Sequence, residues 1–124
     1  MAMIDAKELR QKKCLPCEGG VQPFSEEKAK EYLKALEGWE LGPNRDAIQK
    51  TYVMKNFLGA VQLIQSIAEI AEAEDHHPDI HLTGYRKLLI ELSTHAIKGL
   101  SENDFILAAK IEALPKELKQ KTPA

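Results

Sequence analysis

Lys87-Leu88-Leu89-Ile90-Glu91-Leu92-Ser93-Thr94 is the stretch from which the fold can be read. Leu88, Ile90 and Leu92 fall on one side of an extended chain. Lys87, Leu89, Glu91 and Ser93 fall on the other, the period-two pattern of a strand with one buried face. A second strand is predicted just upstream, within Asp79 to Tyr85, where Gly84 marks a bend. If these two strands pair, the loops flanking them converge in space.

Further upstream, the spacing predicts a helix over about Asn56 to Glu74. Asn56 is its cap, and Phe57, Val61, Ile64, Ala68 and Ala71 recur on one face, with Leu63 and Ile67 widening the stripe. Pro78 forbids continuation, so this helix ends near His76. Before it, Trp39–Leu41 and Ala47–Val53 read as strands joined through the turn-forming Gly42-Pro43-Asn44-Arg45-Asp46, an antiparallel hairpin. A first helix is predicted from about Ser25 to Glu37. Ser25 caps it, Glu26 and Glu27 suit its positive end, Ala29, Tyr32, Leu33 and Leu36 share a face, and Gly38 stops it.

Downstream, Ser101 opens the last helix, and Ser101 with Asp104 resembles a capping box. Phe105, Ala108 and Ile111 line one face with Leu107 and Leu114 beside it, and Pro115 begins the exit. The order α-β-β-α-β-β-α predicts an α+β fold, a four-stranded antiparallel sheet with three helices packed on one face.

The 124 residues suit one domain, read as a polar N-terminal arm over 1–22 and a body over 23–124. The composition is that of a soluble globular chain, 44% hydrophobic and 29% charged, and a net charge of −2 gives no electrostatic case for nucleic acid or an anionic membrane. No apolar run approaches the roughly 20 residues needed to span a bilayer. Met1 to Lys13 lacks the apolar core of a signal peptide, so the expected location is cytoplasmic. Cys14 and Cys17 form a C-x-x-C pair. Two thiols do not complete a zinc site, and Glu18-Gly19-Gly20 after them is a turn rather than a helix start, so they read as free thiols in the arm, remote in sequence from the histidines.

All four histidines, His76, His77, His81 and His95, lie within one stretch of the chain. The structural reading is that a histidine at a helix C-terminus is favoured by the dipole alone. A metal reading would use His-His-x-x-x-His with Glu72, Glu74 or Asp75, but no two histidines sit at i, i+4 on one secure helix, and no metal is assigned. The acid–base reading is stronger. Imidazoles titrate near neutrality, so one donates while another accepts, and no nucleophile for covalent catalysis is evident nearby. Asp104 is balanced between a cap and a site residue, and Tyr85 is by type a packing residue.

Glu74-Asp75-His76-His77-Pro78-Asp79-Ile80, then Tyr85, then Leu92-Ser93-Thr94-His95, then Gly99-Leu100-Ser101-Glu102-Asn103-Asp104 resembles the signature of the pterin-4a-carbinolamine dehydratase family. The resemblance covers Pro23 to Leu114, and the Cys-Leu-Pro-Cys-Glu-Gly-Gly arm is similar to that of many bacterial and plant-type members. It implies the same sheet-and-helix fold and dehydration of 4a-hydroxytetrahydropterin to quinonoid dihydropterin, in tetrahydrobiopterin recycling for aromatic amino acid hydroxylases. It also implies a homodimer or homotetramer, with no metal or organic cofactor. Under it, His76, His77 and His95 are catalytic, and Asp104, Thr94, Pro78 and Tyr85 bind substrate, while His81 falls outside the set. Ile80-His81-Leu82-Thr83-Gly84 departs from animal-type members, which carry aromatic residues after the proline, and this bears on which pterin side chain is preferred. The alternative is a non-enzymatic dimerisation or assembly module on the same fold.

Overall fold

Strand β4 (Lys87–Leu92) occupies an inner position of the sheet, as its alternation requires. Its neighbours are β2 (Ile48–Val53) and β3 (Asp79–Thr83), and β1 (Glu40–Leu41) pairs with β2, giving the order β1-β2-β4-β3 with every pair antiparallel. The computed structural model describes residues 5–14 and 22–119. The register places Ile48 opposite Leu92, Tyr52 opposite Leu88, and Ile80 opposite Ile90. Ile48, Tyr52, Leu88, Ile90 and Leu92 are all buried on this face. Burying the three aliphatic side chains of β4 contributes about 1.5–3 kcal/mol each.

Helices α2 (Glu26–Leu33), α3 (Phe57–Glu74) and α4 (Glu102–Glu112) supply the rest of the same core through Ala29 and Tyr32, Leu63 and Ile67, and Phe105 to Ala109. Local chemistry sets their starts. Ser25 Oγ accepts the Lys28 N–H at 3.1 Å, and Asn56 Oδ1 accepts the Gly59 N–H at 2.7 Å. The predicted α+β architecture is therefore present, with α2 shorter than expected, its last residues up to Gly38 forming turns. No described helix is long and apolar enough to cross a membrane.

Two expectations are corrected. The segment before residue 22, read as a polar arm with no helix in the predicted order, contains one, α1 (Ala6–Gln11), capped by Asp5, whose Leu9 is fully buried in the core as α1 packs on α4. With only Ala6 and Leu9 apolar among its six residues, α1 leaves almost no periodic signal. In α3 the buried row is Ala60, Leu63, Ile67 and Ala71, whereas Phe57 and Val61, expected on the inner face, are 56% and 41% exposed. Leu63, Ile67 and Ala71 of the predicted stripe are buried as expected, and periodicity over so wide an apolar stripe did not fix which edge of it faces out. Leu58, 64% exposed, extends the outer row.

One polar cluster ties the sheet to the end of α4. Glu112 Oε1 accepts Trp39 Nε1–H at 3.0 Å, Lys50 Nζ at 2.6 Å and the Tyr52 hydroxyl. Burial alone would push the Glu112 carboxyl up, but the hydrogen bonds from Lys50 and Tyr52 outweigh it and hold the group below its ordinary 4.5. Glu112→Gln is expected to cost about 1–3 kcal/mol at neutral pH in urea unfolding. A carboxyl with a depressed folded pKa stabilises above its unfolded value and loses that contribution as the pH falls through the folded one. The difference between the two proteins should therefore be full above pH 4.5 and close on further acidification. A difference that persists undiminished to about pH 3 contradicts this account.

Candidate active site

Helix α3 ends where the histidines begin. Asp75 takes the left-handed conformation (φ 51°), the Asp75 N–H donates to Glu72 O at 3.4 Å, and the His76 N–H donates to Ala71 O at 3.1 Å. This is the Schellman closure, with aspartate in the place glycine usually takes. Pro78 then turns the chain into β3. On the other side of the hairpin, β4 leads into a tight loop. The Thr94 N–H donates to Gly99 O at 2.8 Å, and His95–Ile97 form a 3₁₀ turn anchored by buried Ile97. Gly99 is required there. A Cβ at this position would lie 2.6 Å from Pro23 Cβ, where the chain entering α2 crosses and the Phe24 N–H donates to Leu100 O.

The start of β3, the end of β4 and the start of α4 thus meet at one end of the sheet. A cleft of about 630 Å³ opens there, with His76, His77, Pro78, Thr94 and His95 in its walls beside Glu74, Asn103 and Cys14. Asp104 lies behind it and is fully buried. Its Oδ1 accepts His76 Nε2–H at 2.6 Å, and its Oδ2 accepts the Thr94 hydroxyl at 2.9 Å and the Ser101 backbone N–H at 3.0 Å. With the Thr94 proton committed to Asp104, the Ser101 hydroxyl donates to Thr94 Oγ1 at 2.7 Å. Asp104 therefore ties the helix start to His76 in one network, so its cap role and its contact with a cleft histidine coexist.

The three site histidines differ in environment. The His76 ring is 11% exposed, and with Nε2–H held by Asp104 its Nδ1 is left as the acceptor. His77 is exposed at the rim, its Nε2 3.1 Å from Glu72 Oε2. His95 is exposed on its turn, and among the described residues no hydrogen-bond partner meets its ring. His81 is elsewhere, on the open sheet face, with Nε2 2.8 Å from Glu91 Oε1. Among the described residues no group of three or more His, Cys, Asp or Glu side chains is placed to hold a metal ion.

Of the residues expected to bind substrate, Pro78 and Thr94 border the cleft, but the Thr94 hydroxyl is spent on Asp104 and Ser101. Asp104 has no exposed surface to offer a ligand. Tyr85 is separated from the set. It sits with positive φ in the turn joining β3 and β4, at the opposite end of those strands from the cleft. Sequence spacing had counted Tyr85 into a linear motif, whereas the hairpin carries it a full strand length away. Cys14 is the reverse case. Remote in sequence, it lies in the cleft wall, half-buried and free, and burial with Glu74 beside it pushes its thiol up to about 12. Cys17 lies outside the described residues. Asn103 and Glu74 were also missed as wall residues. Asn103 is an unassigned position inside Gly-Leu-Ser-x-x-Asp, and Glu74 had been weighed only as a metal ligand.

A four-stranded antiparallel sheet backed by helices, with a histidine-lined cleft at the end where two loops and a helix start meet, defines a small α+β protein with one candidate active site. The sequence profile described as pterin 4 alpha carbinolamine dehydratase matches residues 22–114, and the chain belongs to that family. A Nitrosomonas eutropha protein provisionally named pterin-4-alpha-carbinolamine dehydratase is 46% identical over 113 residues, covering 90% of this chain and 97% of that protein. Pterin-4-alpha-carbinolamine dehydratase 2, mitochondrial, of Arabidopsis thaliana is 42% identical over 113 residues, covering 89% of this chain and 60% of that longer protein. Among solved structures, a transcriptional coactivator/pterin dehydratase from Brucella melitensis superposes with a TM-score of 0.70 at 33% identity, over 74% of this chain and 97% of that one.

The geometry predicts the tautomer of His76. Nitrogen-15 spectra of the ring at a pH where it is neutral should show the proton on Nε2, and Asp104→Ala should remove that preference. A proton resident on Nδ1 in the unmodified protein would contradict the network described.

Proposed function

We propose that the cleft is a dehydratase site, converting 4a-hydroxytetrahydropterin to quinonoid dihydropterin and water by histidine acid–base catalysis. The reaction breaks the C4a–O bond, delivers a proton to the departing hydroxyl, and removes the N5 proton as the C4a–N5 double bond forms. It needs one acceptor and one donor, and no change of oxidation state. The observation that carries this reading is that His76, His77 and His95 line one cleft in distinct environments, with His76 fixed on a buried carboxylate.

Within that proposal His76 is the base, presenting Nδ1 to the N5 proton while Asp104 holds its ring and tautomer in the manner of a triad carboxylate. His95, exposed and unencumbered by the described residues, delivers the proton to the leaving oxygen. His77, paired with Glu72 at the rim, contacts the substrate, and Pro78 is a rigid wall. Thr94 and Asp104 are positioning residues. Each proton transfer contributes about 10²–10⁴-fold. The same reading places the chain in tetrahydrobiopterin recycling, since a 4a-hydroxylated pterin is what a pterin-dependent hydroxylase leaves behind. Full-length coverage of the Nitrosomonas eutropha relative supports the dehydratase over a purely non-enzymatic module.

Purified protein should accelerate dehydration of synthetic 4a-hydroxytetrahydropterin, and a chelator should not change the rate. His95→Ala should lower kcat about 100-fold or more, with a melting temperature close to that of the unmodified protein because the side chain is exposed. His81→Ala should be nearly silent in both. A folded protein with no activity above buffer would remove the dehydratase reading. Equal losses of activity and stability in His95→Ala would make that residue structural.

A further inference from the structure

The N-terminal segment packs along α4 and ends beside the cleft, held by contacts independent of the histidines. Leu9 of α1 is fully buried in the core. α1 and the residues after it run along α4 toward its start: Lys110 Nζ, in the last turn of α4, donates to Arg10 O of α1 at 2.8 Å, and just past α1 Lys12 Nζ lies 3.0 Å from Glu102 Oε2 in the first turn, which also accepts the Tyr32 hydroxyl at 3.0 Å. The chain then reaches the end of α3. The Cys14 backbone N–H donates to Glu74 Oε1 at 2.7 Å, and Cys14 Sγ lies 3.6 Å from Asn103 O. Cys14, Glu74 and Asn103 all border the cleft that holds His76 and His95.

We propose that Cys14, held at the end of the docked segment 5–14, is a working wall of the dehydratase site that sets the room available beside His76, with Glu74 acting as the positioning residue that latches it in place. Three features support it. The latch is a charge-assisted hydrogen bond between a carboxylate one residue before the left-handed turn at Asp75 and a backbone donor from a distant part of the chain. The Cys14 thiol, kept protonated at neutral pH by burial and by Glu74, presents a neutral, polarizable surface to a flat heterocycle rather than a nucleophile. The segment is fastened at Leu9, Arg10, Lys12 and Cys14 in succession, so its position in the wall is set by α1, α3 and α4 together. A wall of this kind contributes binding that ground state and transition state share, so its loss raises KM and leaves kcat in place.

The inference rests on the cleft being the dehydratase site, and the test separates the two. Steady-state dehydration and fluorescence titration with oxidised biopterin would be run on the unmodified protein and on Glu74→Ala, Glu74→Gln and Cys14→Phe, with hydrogen exchange read at the Cys14 amide. Glu74→Ala should raise KM about 10-fold, the scale of one lost hydrogen bond to a charged group, with kcat within about twofold and faster exchange at Cys14. Glu74→Gln keeps an acceptor and should return KM to within about twofold of the unmodified value. Cys14→Phe fills the cleft from the arm side and should weaken both KM and biopterin binding about 10-fold or more, whether or not Glu74→Ala folds. An active unmodified protein whose KM and biopterin affinity are untouched in Glu74→Ala and Cys14→Phe would overturn this inference alone. An unmodified protein that neither dehydrates nor binds biopterin would overturn it together with the function proposed above.

Discussion

A fully buried carboxylate is stable only if its oxygens are occupied, and the active end of this molecule is organised around meeting that demand for Asp104. Its three direct donors come from three places: His76 just past α3, Thr94 just past β4, and Ser101 at the start of α4. No two of them are neighbours in sequence. Satisfying one side chain therefore fixes the mutual position of a helix end, a strand end and a helix start, and His76 is held as part of that fixing. Structural stability and presentation of the imidazole are one network, with the cap carboxylate also holding a histidine of the cleft.

Helix α4 is pinned at both ends by carboxylates with different tasks. At its start Asp104 gathers the site. At its finish Glu112 gathers Trp39, Lys50 and Tyr52, tying the helix to β2 and to the residue just before β1, far from the cleft. Between them the helix is buried almost all round, against the sheet, α3 and the docked α1. Such a helix has little freedom to shift, so the residues at its N-terminal turn form a rigid backing for the histidines. The exposed residues of the cleft, His77 and His95, stand on that backing without being part of it.

Much of this was legible in the amino-acid order. The alternation of Lys87 to Leu92, the Asn56 cap, the stop at Pro78 and the Ser101 start each reflect a strong local rule, and all appear where expected. The convergence of His76, His77 and His95 followed from pairing two strands. What escaped the sequence were facts settled by tertiary competition. The predicted stripe on α3 was wider than the buried face: Leu63, Ile67 and Ala71 are buried as expected, but packing took Ala60 in and left Phe57 and Val61 out. A six-residue helix with one buried leucine, Leu9, has no periodicity to detect. That Tyr85 stands apart from the cleft was not legible because distance along a motif says nothing about which end of a hairpin a residue occupies, and the place of Cys14 was not because a long-range backbone hydrogen bond leaves no trace in spacing.

The central claim is that a pterin ring sits between His76 and His95, with Asp104 behind the first and out of the ligand's reach. A crystal structure with a bound dihydropterin tests it most directly. The account predicts the C4a–N5 edge within about 3 Å of His76 Nδ1 on one side and facing the His95 ring on the other, with the Asp104 contacts to His76, Thr94 and Ser101 intact. A ring bound on the open face of the sheet or at the Tyr85 turn, or one hydrogen-bonded directly to Asp104, would contradict it.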